Sequence, residues 1–301
     1  MNVFVAGGSG TIGIPLVRAL VAARHQVTAL TRSNVKRDEL QALGASVAVA
    51  DALNPKALIA VVEAAHPTHV IHQLTALPKG GPRRRSDLAA TNRLRIEGTR
   101  NLLNAAIHAG ARRFVVGSFA MLAPRGPVTA REDDAAGAIR SMERQVLDAA
   151  EQGSIEGVIL RYGMFYGLEN PSTVAMIDMV RKRRLPVVRG DAGQLPLIHV
   201  EDAVSATVCA LDSAPSGATY EIVDDHPVSL SEIVTGIAEH TGSARPISVP
   251  AWLPRLVAPY MARLISTRMP LSNARAKQEL GWRPQFSTLE DGLTRMFDRA
   301  A

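Results

Sequence analysis

The sequence predicts an α/β fold of Rossmann type, a doubly wound parallel sheet with a smaller C-terminal part that would bind substrate. Three observations predict it. The chain opens on a short apolar run that breaks into spaced glycines and passes directly into a helical pattern. Short β-prone runs then alternate with helical stretches as far as about residue 165, the rhythm of βαβ units. The composition, 47% hydrophobic and 21% charged over 301 residues, suits a chain with a substantial core.

The opening run reads Val3-Phe4-Val5-Ala6-Gly7-Gly8-Ser9-Gly10-Thr11-Ile12-Gly13, followed by Ile14-Pro15-Leu16-Val17-Arg18-Ala19-Leu20 at helical apolar spacing. Glycines at 7, 10 and 13 allow a tight turn, bring the backbone close to a phosphate and let the helix pack on the strand. The free amides of that helix then face an anion, so the motif points to a bound dinucleotide. The second strand is predicted over Gln26–Leu30, with a helix over Val35–Leu43 closed by Gly44. The third strand covers Ser46–Ala50 and ends at Asp51, and Asn54 caps a helix over Pro55–Ala65. Strand four is His69–Leu74, a long helix runs Asp87–Ala109, and strand five is Arg113–Gly117. A helix over Asp134–Glu151 and a sixth strand over Gly157–Arg161 follow.

From Tyr166 the rhythm changes. Helices are predicted over Ser172–Arg184, Glu201–Leu211 and Ser229–His240, with strands at Leu195–Val200 and Thr219–Val223. The tail, with prolines at 250, 254, 259 and 270, carries shorter helices over the carboxyl edge of the sheet. Residues 1–165 thus form the dinucleotide-binding domain, to which 201–225 return, and 166–200 with 226–301 form the substrate-binding part.

Composition narrows the functional classes. The single cysteine, Cys209, excludes an intramolecular disulfide, and its apolar surroundings suit packing. With a chain that begins on its first strand and has no apolar run of about 20 residues, this predicts a cytoplasmic protein without leader or membrane span. The net charge of +6 gathers at Arg83-Arg84-Arg85 and Arg181-Lys182-Arg183-Arg184, but aromatics are only 4% and do not interleave with these runs. Nucleic acid is therefore not the expected partner. His69 and His72 stand three apart in a strand and point to opposite faces, so no metal site is expected there. Glu132-Asp133-Asp134 is read as the acidic entry to a helix.

Taken together, the chain resembles the extended short-chain dehydrogenase/reductases, also called the NAD-dependent epimerase/dehydratase family. The resemblance rests on Gly7 to Gly13, on Asp51, on Val70-Ile71-His72-Gln73-Leu74, and on Asn92 with Glu97-Gly98-Thr99-Arg100-Asn101-Leu102-Leu103. It continues through Leu160-Arg161-Tyr162-Gly163-Met164-Phe165-Tyr166-Gly167, His199-Val200-Glu201-Asp202-Ala203 and Glu279-Leu280-Gly281-Trp282-Arg283-Pro284. It implies a cofactor held by Gly7, Gly10, Thr11, Ile12, Gly13, Arg32, Asp51, His72, Gln73, Leu74, Asn92 and Ser118. The end of strand two offers Thr31-Arg32-Ser33 with Lys36 and Arg37 and no carboxylate, which favours NADP, whose 2′-phosphate needs a cation, over NAD.

The resemblance also exposes a gap. Members of the family carry a Tyr-x-x-x-Lys pair on the helix after strand five, whose tyrosine exchanges a proton with the substrate as hydride moves. Aligned on Glu143-Arg144, this chain has Ala135 and Ile139 at those places, and none of its tyrosines, at 162, 166, 220 and 260, is followed four residues on by lysine. Phe119 stands where the family's serine would, beside Ser118. Tyr166 and Tyr162 after strand six, and more weakly Ser118 and His199, are the candidates for a replacement donor. The expectation is an oxidoreductase acting on a small, moderately apolar carbonyl or alkene with a non-standard proton donor. The alternatives are a non-catalytic NADP(H)-sensing protein, a non-redox enzyme with structural cofactor, and a nucleotide-sugar epimerase or dehydratase. Gln194 among apolar neighbours and the lid Pro250–Met261 favour the apolar substrate, while Arg83 to Arg85 would suit an acidic one. Helices 87–109 and 134–151 resemble those that pair in family dimers, so a homodimer is expected.

Overall fold

The computed structural model describes the chain apart from residues 33, 79–81, 83, 124–133, 191–192, 258–267, 270 and 299–301, so Arg83, Glu132, Asp133 and Tyr260 lie outside the described residues. Alternation within the first strand explains the layering. In β1 (Asn2–Ala6), Val3 and Val5 enter one core cluster and Phe4 and Ala6 another, because successive side chains point to opposite faces. A strand apolar on both faces belongs in the middle of a sheet covered on both sides.

The strands β2 (Gln26–Thr31), β3 (Ser46–Val49), β4 (His69–His72), β5 (Arg113–Phe119), β6 (Glu156–Tyr162) and β10 (Ala218–Ile222) join β1 in one seven-stranded sheet, ordered β10-β6-β5-β4-β1-β2-β3. Every pairing in it is parallel. The chain winds outward from β1 to β3 and then restarts at β4 on the other side of β1. That switch opens a crevice beyond the carboxyl ends of β1 and β4, where open α/β sheets take ligands. Helices α1 (Gly13–Ala22) and α8 (Val200–Ser213) cover one face. The other carries α3 (Pro55–Ala65), α5 (Thr99–His108) and α6 (Ala135–Glu151).

Several local signals act as read. Asn54 accepts a hydrogen bond from the Ala57 amide at 3.2 Å and starts α3, with Pro55 at its first position. Asp134 accepts from the Gly137 amide at 2.7 Å and starts α6, and Ser229 with Glu232 forms a capping box on α9 (Leu230–His240). Several boundaries differ from expectation, by one to three residues at most strand ends and more at the helices. The helix expected over Val35–Leu43 is α2 (Arg37–Ala42), preceded by a 3₁₀ turn at Asn34–Lys36. β5 runs two residues further than predicted, which brings Ser118 and Phe119 into the strand. The long helix predicted over Asp87–Ala109 is divided, with a 3₁₀ turn at Arg85–Leu88, α4 (Ala89–Arg93), a π turn at Leu94–Gly98 and then α5.

The C-terminal part has its own core. β7 (Met164–Tyr166) pairs with β9 (Leu197–His199), and β8 (Val187–Val188) with β11 (Ser248–Val249). Tyr166, Ile177 of α7 (Pro171–Arg181), Leu197, Val234 and Leu293 meet in a third apolar cluster. Asp202 fastens this part to the sheet, accepting from the Gln285 and Phe286 amides at 2.7 and 2.9 Å, while the Trp282 indole donates to Ser205 at 2.9 Å. No helix among the described residues is long and apolar enough to cross a membrane.

Candidate active site

Gly7 takes φ +90°, and a Cβ there would lie 2.6 Å from the Gln73 carbonyl oxygen. A Cβ on Gly13 would lie 2.1 Å from the Gly7 carbonyl oxygen, backbone against backbone. The turn can close only with hydrogen at both places. It is tied by the Gly10 amide donating to the Gly7 carbonyl at 3.0 Å, and Ile12 precedes α1 with no side-chain capping bond. Above it lies a pocket whose walls include Gly7, Gly10, Thr31, Arg32, Gln73 and Leu74.

Several predicted cofactor residues therefore meet around one crevice. Thr11, Ile12 and Gly13 form the start of α1 at its edge. Asp51 is exposed at the rim between Ala50 and Ala52, which line the pocket, and its carboxylate accepts from the Leu53 amide at 2.9 Å. Asn92 is buried on α4 and is not part of the pocket wall. The wall has Arg32 as its cation and no carboxylate among the described residues.

His72, last residue of β4, is buried below this wall. The Leu74 amide donates to its Nδ1 at 3.1 Å, so Nε2 carries the proton and donates to Thr99 Oγ1 at 2.9 Å. Burial, with the Arg95 cation beside it, pushes its pKa down to about 4 and keeps the ring neutral. It braces the bend from β4 into the pocket. His69, three residues earlier, bonds instead to Thr68 at 2.8 Å.

At the carboxyl end of β5 the Gln73 amide lies across Gly117, where a Cβ would sit 2.2 Å from Gln73 Oε1. Gln73 Nε2 donates to the Tyr162 hydroxyl at 3.0 Å. That hydroxyl lies 2.7 Å from Thr207 Oγ1, and Thr207 gives its own proton to the Ala203 carbonyl at 2.6 Å. The tyrosine is therefore the donor to Thr207. Burial pushes the phenol up to about 12 despite these two bonds.

Tyr166 lies in the C-terminal core. Its ring meets His199 edge-on at 5.1 Å, its hydroxyl lies 3.4 Å from the Thr288 carbonyl, and it fills the space over Gly292. Burial, with the Asp224 carboxyl beside it, drives its pKa far above the usual phenol range. His199 caps α8, accepting from the Glu201 amide at 3.2 Å. Neither tyrosine hydroxyl lines the pocket over the glycine turn.

Ser118 is 7% exposed and donates to Glu143 Oε1 at 2.6 Å. The same carboxylate takes two bonds from Arg161, at 2.9 and 2.6 Å, and Arg161 reaches Glu221 at 3.4 Å. This network joins β5, α6, β6 and β10, and it could be anticipated only in that Ser118 and Arg161 are polar residues in apolar runs. On α6, Ala135 is the first residue and Ile139 is fully buried.

Comparison with known proteins matches residues 3–223 to the family model described as the NAD dependent epimerase/dehydratase family. A Streptomyces sp protein named 3-diazoavenalumate denitrifying reductase is 38% identical over 98% of this chain and 100% of its own length. A Stigmatella aurantiaca protein named 4-hydroxy-2-methyl-3-oxo-4-farnesyl-3,4-dihydroquinoline-1-oxide ketoreductase is 26% identical over 94% of this chain and 92% of its own. Among solved structures, a Thermus thermophilus UDP-glucose 4-epimerase in complex with NAD superposes with a TM-score of 0.77 at 22% identity, covering 98% of this chain and 97% of that one. This last likeness is one of fold.

Proposed function

The chain belongs to the NAD dependent epimerase/dehydratase family, and from that premise we propose that it is an NADP(H)-dependent reductase whose hydride acceptor needs no proton from the protein. The observation that carries the proposal is the proton inventory of the described residues at the reacting end. Ala135 and Ile139 bear no acid, the Ser118 proton is committed to Glu143, and the Tyr162 proton is committed to Thr207. Gln73 remains as a fixed amide that orients but does not ionise.

The pocket fits a dinucleotide on its own geometry. Close backbone packing at Gly7 and Gly13 holds the turn at the start of α1, whose free amides suit a phosphate, and Arg32 on the wall, with no carboxylate among the described wall residues, supports a 2′-phosphate there. A bound nicotinamide dinucleotide supplies the hydride. Gln73 and Leu74, on the crevice wall, would border its nicotinamide side, and the Tyr162 hydroxyl bonded to Gln73 would hold that amide in place.

A carbonyl that accepts hydride must also take up a proton. An aryl diazo cation does not, since hydride replaces the nitrogen, which leaves as N₂, and charge and atoms balance. The name of the 38% identical relative, a denitrifying reductase of a diazo compound, supports this acceptor class. A second reading is reduction of a carbonyl with water as proton source, supported by the ketoreductase relative. The experiment is NADPH consumption with an aryl diazonium carboxylate against a panel of ketones and enones, each corrected for the rate without protein. The proposal expects NADPH-dependent turnover of the diazonium compound alone. Turnover confined to ketones establishes the second reading, and tight NADPH binding with no turnover in any arm sinks the enzymatic proposal in favour of a cofactor sensor.

A further inference from the structure

Gln73 follows the last residue of β4 and stands beside Gly117 of β5, since His72 is in register with Val116. Its neighbours settle which way its side-chain amide is turned. The Thr207 hydroxyl gives its single proton to the Ala203 carbonyl, so the Tyr162 hydroxyl gives its own to Thr207 and keeps only lone pairs for Gln73. Nε2 of Gln73 therefore points at Tyr162, 3.0 Å away, and Oε1 is turned from it. The reversed amide would set oxygen against oxygen with no proton between them.

Oε1 lies over Gly117, where a Cβ would come within 2.2 Å of it, so the missing side chain is what leaves it room. Among the described residues it has no hydrogen-bond partner, and it is not one of the enclosed polar atoms. An acceptor held in place at the carboxyl ends of β4 and β5, unpaired and open, on a residue of the crevice wall, suits a ligand that brings a donor. The strand order says which part of a dinucleotide that is. β2 and β4 flank β1 on opposite sides, so with phosphates at the turn after β1 and at Arg32 after β2, the β4 side is left to the nicotinamide. The carboxamide is the part of that ring that carries N–H donors.

We propose that Gln73 Oε1 accepts a hydrogen bond from the carboxamide NH₂ of the nicotinamide and so fixes the orientation of the ring over the ends of β4 and β5. This rests on the dinucleotide reading given above. Tyr162 and Thr207 act behind Gln73 as positioning residues, since their bonds hold Nε2 and leave Oε1 for the cofactor.

The test is calorimetric titration of the full chain with two probes, NADPH and its reduced 3-acetylpyridine analogue, in which a methyl replaces the carboxamide NH₂ and removes the donor. The unsubstituted protein is compared with Gln73→Met, which keeps the length and loses the acceptor, and with Gly117→Ala, which keeps the amide and pushes Oε1 from its place. Each variant is checked for folding by thermal denaturation. The unsubstituted protein is expected to prefer NADPH by about 3- to 10-fold, the range of one neutral hydrogen bond, and both variants to bind the two probes within about twofold of each other. An equal preference for NADPH in Gln73→Met and the unsubstituted protein overturns the assignment, because the carboxamide then meets another group. No preference in the unsubstituted protein overturns it as well and leaves Oε1 for a donor on the substrate. A preference lost in Gln73→Met but kept in Gly117→Ala overturns the placement of Oε1 on which the assignment stands. An unsubstituted protein that binds neither probe nor NADH refutes the dinucleotide reading itself, a result distinct from the others.

Discussion

A phenol that already gives its proton to a threonine can protonate a substrate only by first breaking that bond and leaving a buried oxygen unsatisfied. Tyr162 is in that position between Gln73 and Thr207, and its pKa of about 12 makes the phenolate costly as well. Tyr162→Phe is therefore expected to lower stability by about 1–3 kcal/mol, since the Gln73 amide loses its buried acceptor. It should leave turnover within the same order of magnitude. Loss of a true general acid lowers the rate by about 10²–10⁴, and a steady-state kcat for the variant separates the two outcomes. At this scale the sequence was legible where a residue type has a single use. Glycines at 7 and 13 and Arg32 after β2 could be placed at the turn and the crevice wall from their position alone. Tyr162 and Tyr166 could not, because a tyrosine after a strand looks the same whether its hydroxyl faces a crevice or a core.

Between elements, the strand-to-helix turn depends on two close backbone approaches. Gly13→Ala places a methyl 2.1 Å from the Gly7 carbonyl, and no flexible side chain can move to relieve it. Its expected effect is a stability loss on the order of 2–3 kcal/mol and a loss of NADPH affinity of at least about tenfold, read by thermal denaturation and fluorescence titration. Retained affinity would show that the turn adopts another conformation when the cofactor binds. Strand and helix order came through from alternation and caps, and Asn54, Asp134 and Ser229 start their helices as their side chains suggest. The π turn at Leu94–Gly98 did not, because a helix with one wider turn keeps nearly the same apolar spacing over its length. The carboxyl end of β5 was also missed, since Ser118 and Phe119 read as turn chemistry until Glu143 supplies the hydroxyl with a buried partner.

Over the whole molecule, three buried groups set an acid and alkaline balance. His69 and His72 have pKa values near 4 against an ordinary 6.5, both lowered chiefly by burial. Between those values the unfolded chain binds two protons that the folded chain does not, so each histidine lowers stability as pH falls through this window. Asp224, raised to about 8 chiefly by burial, works the other way. It holds a proton in the folded state between 3.8 and 8, and its contribution is lost as pH rises through that range. Below 6.5 the balance is one net proton favouring higher pH, and above 6.5 Asp224 favours lower pH. Stability from these groups should therefore peak near about pH 6.5, falling by about 1.4 kcal/mol per unit on either side. Asp224→Asn should remove the alkaline limb and steepen the acid one, and denaturant midpoints across pH would show it. An unchanged alkaline limb in that variant would mean that Asp224 is ionised in the fold.

The same whole-molecule view joins pocket to chemistry, with Arg32 and the glycine turn on the crevice wall and, among the described residues, the Ser118 and Tyr162 protons engaged within the protein. The most direct measurement is isotopic. An aryl diazonium carboxylate is turned over with NADPH deuterated at the reactive hydrogen, in ordinary water, and the arene is analysed by mass spectrometry and NMR. The account predicts one deuterium at the carbon that lost nitrogen, with one N₂ released per NADPH consumed. An arene carrying solvent hydrogen at that carbon, or a hydrazine in its place, would contradict it.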